Sequence, residues 1–145
     1  MVSYIDKKIV TMTFVQDYQN PKKDEIRALL DYIRQLISNH ELRIVPRRKN
    51  QDFLIRYNLV EPDSIYIILN KLTVNHFCEC QLSTDPEYYG EILYIFRIVE
   101  YLMDFEQDEE DVEIYVKFGR YKEAKIADIS FHDAEHFLTL YQWER

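Results

Sequence analysis

The spacing of apolar residues changes once along this chain, near residue 77. Upstream they recur every three or four positions, as Ile26, Leu29, Leu30, Ile33, Leu36 and Ile37 do in NPKKDEIRALLDYIRQLISNHEL. From Phe77 onward the chain divides into short runs rich in β-branched and aromatic residues: HFCECQL, EILYIFRIV, VEIYVKF and KIADISF. A period near 3.6 buries one stripe of a helix, whereas a period of two buries one face of a strand. Helices first and antiparallel strands after them predict an α+β fold, with N-terminal helices packed on one face of a C-terminal antiparallel sheet.

The helical half has further punctuation. Residues 4–15 alternate loosely and predict an N-terminal strand, and Pro21 stands near the start of the long helix. LRIV reads as a short extended piece. PRRKNQDFLIRYNL then gives a short helix with Phe53, Leu54 and Tyr57 on one side, and EPDSIYIILNKLT another, with Pro62 suited to its first turn. Two glycines and four prolines leave no flexible linker, so residues 1–145 are expected to form a single domain.

Charge narrows the partners. The net charge is −8 over 145 residues, but residues 1–72 hold twelve Lys/Arg against nine Asp/Glu, and residues 73–145 hold six against seventeen. A polyanion should therefore meet the first half or a local cationic pocket, because non-specific attraction follows Lys/Arg density. Seven of the eleven residues from Met103 to Glu113 are acidic, which reads as a solvated loop. No apolar stretch approaches the ~20 residues that span a bilayer. Cys78 and Cys80 are the only cysteines, too few for a disulfide framework. A reduced, cytoplasmic protein without a membrane span is expected.

The segment DVEIYVKFGRYKEAKIADISFHDAEH forms the clearest hairpin. Val112, Ile114, Val116 and Phe118 share one side of its first strand, and Ala127, Ile129 and Phe131 form the apolar set of its second. Burying both sets together pairs Val116 with Ala127, Ile114 with Ile129 and Val112 with Phe131. The reverse face then sets Tyr115 opposite Asp128, Glu113 opposite Ser130 and Lys117 diagonal to Asp128, with His132 closing it. An acid, a phenol, an ammonium and an imidazole on one surface are the groups that a metal-free phosphodiesterase site needs. The same face also reads as an ordinary wet sheet surface on which Lys117 and Asp128 form a cross-strand ion pair.

The order LRIVPRRKNQDFLIRYNL, IILNKLTVNHF, EILYIF, EIYVKF and ISFHDAE resembles the MqsR family of toxins from type II toxin–antitoxin systems, in its Gram-positive branch. The resemblance spans residues 42–136 as a toxin-like core, with residues 1–41 as a strand and helix extension. It implies a RelE-like antiparallel sheet and cleavage of mRNA without metal or other cofactor. It also implies neutralisation by an antitoxin protein. Tyr115 matches the family's active-site tyrosine, Lys117 a lysine of the same strand, and His132 stands where a lysine follows "SF". Glu79 and Ile95 depart from the pattern, replacing an expected lysine and glutamine.

RNA cleavage through the 2′-hydroxyl needs a base, an acid and donors for the charged phosphorane. His132 titrates in the useful range and is cast as acid or base, with Glu113 in the complementary role. Lys117 and Arg97 would stabilise developing charge. Tyr115 would orient the phosphate or stack a base. Arg47, Arg48 and Lys49 form the densest basic cluster and would hold RNA phosphates, as would Arg97. Cys78, Cys80, His76, His132 and His136 invite zinc; in a strand Cys78 and Cys80 point the same way, but they are close for joint chelation, so no metal is expected. The competing reading is a non-enzymatic acidic binding protein, a polyanion mimic inhibiting a nucleic-acid-handling partner.

Overall fold

The computed structural model describes residues 14–119, 128–133 and 138–143, and within 128–133 the side chain of Ser130 alone. Most of the expected N-terminal strand, the 120–127 connection, the side chain of His132 and the whole of His136 lie outside the described residues.

Helix α1 (Lys23–Ser38) starts where its sequence provides an acidic first turn, with Asp24 and Glu25. The Glu25 carboxylate accepts the backbone N–H of Lys22 at 2.8 Å and of Gln16 at 3.1 Å, satisfying donors at the helix start. Ile26, Leu29, Leu30, Ile33, Leu36 and Ile37 form its buried stripe. The helix closes through His40, in the left-handed region at φ 58, which lets Glu41 N–H bond back to the Leu36 carbonyl at 2.8 Å. Strand β1 (Arg43–Ile44) follows, then α2 (Arg48–Arg56) and α3 (Pro62–Leu69), with Pro62 in its first turn. Buried Asn50 holds the entry to α2 by donating to the Val45 carbonyl at 2.8 Å.

Four longer strands complete the sheet: β2 (Phe77–Leu82), β3 (Ile92–Met103), β4 (Glu109–Gly119) and β5 (Asp128–Asp133). Their order is β1-β5-β4-β3-β2. All neighbours are antiparallel except β1, which joins β5 in parallel, Arg43 opposite Asp128. The helices cover one face. Ile26, Leu29, Ile33, Phe53, Ile65, Leu69, Phe77, Tyr94, Phe96, Ile114, Val116 and Phe118 belong to one apolar cluster. The expected α+β arrangement is what the chain adopts.

Three local expectations are corrected. The β4–β5 register is four residues from the expected one, with Phe118 opposite Ile129, Val116 opposite Phe131 and Ile114 opposite Asp133. A shift by four keeps every residue on its face, so burial dictates only the parity of the pairing. Tyr115 consequently faces His132 rather than Asp128, and Lys117 rather than Glu113 faces Ser130. Lys117 stays diagonal to Asp128.

The acidic run is mostly strand rather than loop. β3 continues to Met103, β4 begins at Glu109, and only Asp104–Asp108 turn. Asp104 makes the turn by accepting the N–H groups of Glu106 and Asp108, both at 2.9 Å, while Gln107 adopts φ 68.

Cys78 and Cys80 do not share a face, because a bulge shifts the β2 register between Phe77 and Glu79. The extra residue turns Cys78 toward Arg97 and Tyr115, while Cys80 joins the core beneath the helices.

Candidate functional site

On the sheet face away from the helices, β4 presents Glu113, Tyr115 and Lys117, β3 presents Leu93, Ile95 and Arg97, and β2 presents Glu79. This face is drier than an open sheet surface. Ile95 is 2% exposed and Tyr115 is 9% exposed. The segment around Leu138 accounts for part of the cover, since its carbonyl accepts from Arg97 Nη1 at 3.0 Å. Beyond it the chain reaches the edge of β2, where Tyr141 N–H donates to the Phe77 carbonyl at 2.8 Å. Trp143 Nε1 donates to the Val74 carbonyl at 2.9 Å, and its ring stacks on Phe77.

Tyr115 is therefore not a free platform for a base. Burial pushes its phenol pKa up, opposed by the Leu138 backbone and by the Arg97 guanidinium. Arg97 is equally committed, with a hydrogen bond to Leu138 and an ion pair to Glu113 at 3.5 Å. Glu113 lies four residues from Lys117 along β4, about 13 Å at the rise of a strand. The structure thus separates Glu113 from Lys117, while Arg97, opposite Tyr115 and so diagonal to Lys117, is held by Leu138 and Glu113. It places His132 opposite Tyr115, and so diagonal to Lys117, by backbone register.

Lys117 opens into a cavity of about 210 Å³ on this face, lined also by Arg47, Ser83, Thr84, Tyr88 and Ser130 and by one carboxylate, that of Asp85. Its ammonium is disfavoured: burial lowers the pKa, the Arg47 cation lowers it further, and Glu79 opposes both. Two cations from distant segments thus share one polar hollow with several hydroxyls. Arg47 arrives there as the residue preceding α2, whereas Arg48 points into solvent with a loose ion pair to Asp52 at 3.8 Å. Of the basic cluster, Arg47 alone lines the hollow; Lys49 is exposed. Ser83, Thr84 and Tyr88 were not singled out from the sequence. Their signal was the STDP turn after β2, where Asp85 accepts Glu87 N–H at 2.9 Å and starts a short helix at Pro86–Tyr88.

The two departures from the toxin pattern are neighbours, Glu79 standing directly opposite Ile95. Glu79 accepts from Gln81 Nε2 at 3.1 Å, so a carboxylate supplies charge near Lys117 where a lysine was expected. Among the described residues, no three His, Cys, Asp or Glu side chains gather as a metal-binding group, and no helix is long and apolar enough to cross a membrane. Searches against protein-family models, curated proteins and solved structures gave no match to this chain.

Both thiols are buried, Cys78 beside this face and Cys80 in the core. Burial raises the Cys78 pKa to about 11, against the pull of Arg97, and the Cys80 pKa to about 12. At pH 8 the thiolate fraction is then roughly one in a thousand or less, and the thiolate is the reactive form. A colorimetric thiol reagent should leave both cysteines untouched in native protein and titrate two after guanidinium. Rapid reaction of either in the native state would contradict the burial described here.

Proposed function

We propose that this chain is a cytoplasmic, metal-independent endoribonuclease of the toxin class that its sequence resembles, held in check by an antitoxin protein. The observation that carries the reading is the convergence of Lys117 and Arg47 on one hydroxyl-lined hollow. A phosphodiester oxygen is the group this chemistry suits: two cations neutralise it, and Ser83, Thr84 and Ser130 offer hydroxyl donors. Lys117 holds the scissile phosphate and Arg47 fixes it from the second side. His132, diagonal to Lys117, takes the 2′-hydroxyl proton or returns one to the leaving 5′-oxygen. Attack of the 2′-oxygen on phosphorus breaks the bond to the 5′-oxygen and leaves a cyclic phosphate with a 5′-hydroxyl. Tyr115 and Arg97 support the face from beneath the C-terminal segment rather than touching RNA.

The test uses the full chain and a defined mRNA in excess EDTA. Wild-type protein should cut the RNA, and His132→Ala should leave it intact. Intact RNA with wild-type protein would overturn the enzyme reading, as would equal cleavage by both proteins for the role given to His132.

A further inference from the structure

We propose that the face of the β3–β4 ribbon formed by Val99–Met103 and Glu109–Glu113 docks a basic amphipathic helix of a partner protein. The ribbon is what remains when its neighbours stop. The β2 ladder ends at the pair Phe77–Phe96 and the β5 ladder at Ile114–Asp133, so from Val99 to Met103 only β3 and β4 are paired among the described residues.

One side of this ribbon is tied down. Glu100 pairs with Lys71 at 2.8 Å, and Glu110 takes a hydrogen bond from the Tyr57 hydroxyl at 2.9 Å and an ion pair from Arg56 at 3.4 Å. The other side carries two parallel columns. Val99, Tyr101 and Met103 form an apolar column on β3, prolonged at the turn by Phe105. Glu113, Asp111 and Glu109 stand opposite them on β4. Tyr101 is 64% exposed and Phe105 70%. The Tyr101 hydroxyl donates to Glu109 at 2.7 Å, linking the columns. Single exposed apolar residues are ordinary, but a continuous column rimmed by one sign of charge marks an interaction surface.

Charge selects the occupant. The acidic column repels RNA and an anionic lipid surface, and two copies meeting through this face would bring six carboxylates together. Apolar contacts flanked by Lys or Arg suit both columns at once. Adjacent strands lie about 4.8 Å apart, so the two columns fit beneath a helix about 10 Å across. Val99 to Met103 spans about 13 Å, and the turn extends this toward three helical turns, roughly 12 residues. The partner helix should carry apolar residues at i, i+3 or i+4, and i+7, with Lys or Arg on one flank. Tyr and Met suit such an anchor, Met through its adaptable shape. Because the opposite side is already fastened to the end of α2 and to Lys71 just past α3, docking orders little of this chain.

The experiment is a selection of random 12-residue peptides on the immobilised full chain, followed by binding of the enriched peptides to wild type and to Tyr101→Ser/Phe105→Ser. Support is an enriched helical pattern of apolar and basic residues, with affinity falling tenfold or more in the double variant and weakening as salt rises. Asp111→Lys should weaken the same peptides. Peptides that lack the pattern, or that bind the double variant equally, would overturn the proposal. So would reversible self-association of wild type that the double variant abolishes. Thermal melts confirm that the variants fold. The variants leave the Lys117 hollow intact, so failure here and failure of the nuclease reading are distinguishable.

Discussion

Lys117→Met is expected to lower kcat/KM for RNA cleavage by about 10²–10³-fold while raising the melting temperature. The loss follows from removing a positioned cation at the phosphate, the size typical of deleting one well-placed charge-stabilising donor. The gain follows from the same burial. The Lys117 pKa is lowered from 10.5 chiefly by desolvation and then by Arg47, so the folded chain disfavours the ammonium. The sign is the reverse of a stabilising ion pair. Below the folded pKa, lysine is charged in both states and its full cost is present. Between that pKa and 10.5 the unfolded chain binds more protons, so wild-type stability climbs with pH toward that of the variant. The melting-temperature gap between Lys117→Met and wild type should therefore be widest near pH 7 and narrow as pH approaches 10.5. Methionine keeps the length of the stem without its charge, so packing changes little. A variant less stable than wild type at pH 7 would show that the ammonium holds the fold together, and that its function in the hollow is secondary. An active variant would remove Lys117 from the chemistry.

How far these features could be read in advance depends on which physical constraint wrote them. Periodicity is imposed by burial, and it placed the three α-helices and the four longer strands, whereas β1 was legible only as a short extended piece. The α1 stripe and the apolar side of β4 are the same residues in sequence and structure. Register is imposed by backbone pairing over a whole ladder, so alternation left the β4–β5 offset open in steps of two. The observed offset sets Phe118 against Ile129, where the expected one ended β5 too early. The acidic run misled for a different reason: β3 and β4 need only one covered side, and Val112 and Leu102 supply it together with Glu100 and Glu110, which are tied to Lys71, Tyr57 and Arg56, while Glu109, Asp111 and Glu113 lie on the other side. A bulge is a single-residue event with no periodic signature, which hid the divergence of Cys78 and Cys80. The candidate site shows the same division. Parity put Tyr115, Lys117 and His132 on one face, but nothing local to β4 reveals that residues near 138 cover Tyr115. Nor does it reveal that Arg47, seventy residues away in sequence, meets Lys117 in a hollow.

Phe96→Ala is expected to cost about 3–5 kcal/mol of folding stability, the range for deleting a fully buried phenylalanine. Phe96 is fully buried on β3, the strand that joins β2 to β4. Its ring meets Phe77 edge-on at 5.5 Å and 68°, and Phe118 at 5.6 Å and 75°. Both are the tilted geometry that aromatic quadrupoles favour, adding about 0.5–1.5 kcal/mol per pair beyond area burial. Phe77 is also the residue on which Trp143 stacks and whose carbonyl receives Tyr141, so the cavity left by alanine would loosen the C-terminal segment as well. Against a total stability of about 5–15 kcal/mol for a domain, this single change brings the chain close to unfolding. Phe105→Ala is the control: a phenylalanine at the ribbon tip, 70% exposed, whose truncation should stay within about 0.5 kcal/mol. Urea unfolding measures both, with the midpoint falling sharply for Phe96→Ala at an unchanged slope and barely moving for Phe105→Ala. Equal midpoints would mean that the aromatic triad does not unite the three strands. In that case the placement of Lys117 on the neighbouring strand, and with it the hollow it shares with Arg47, would lose its structural basis.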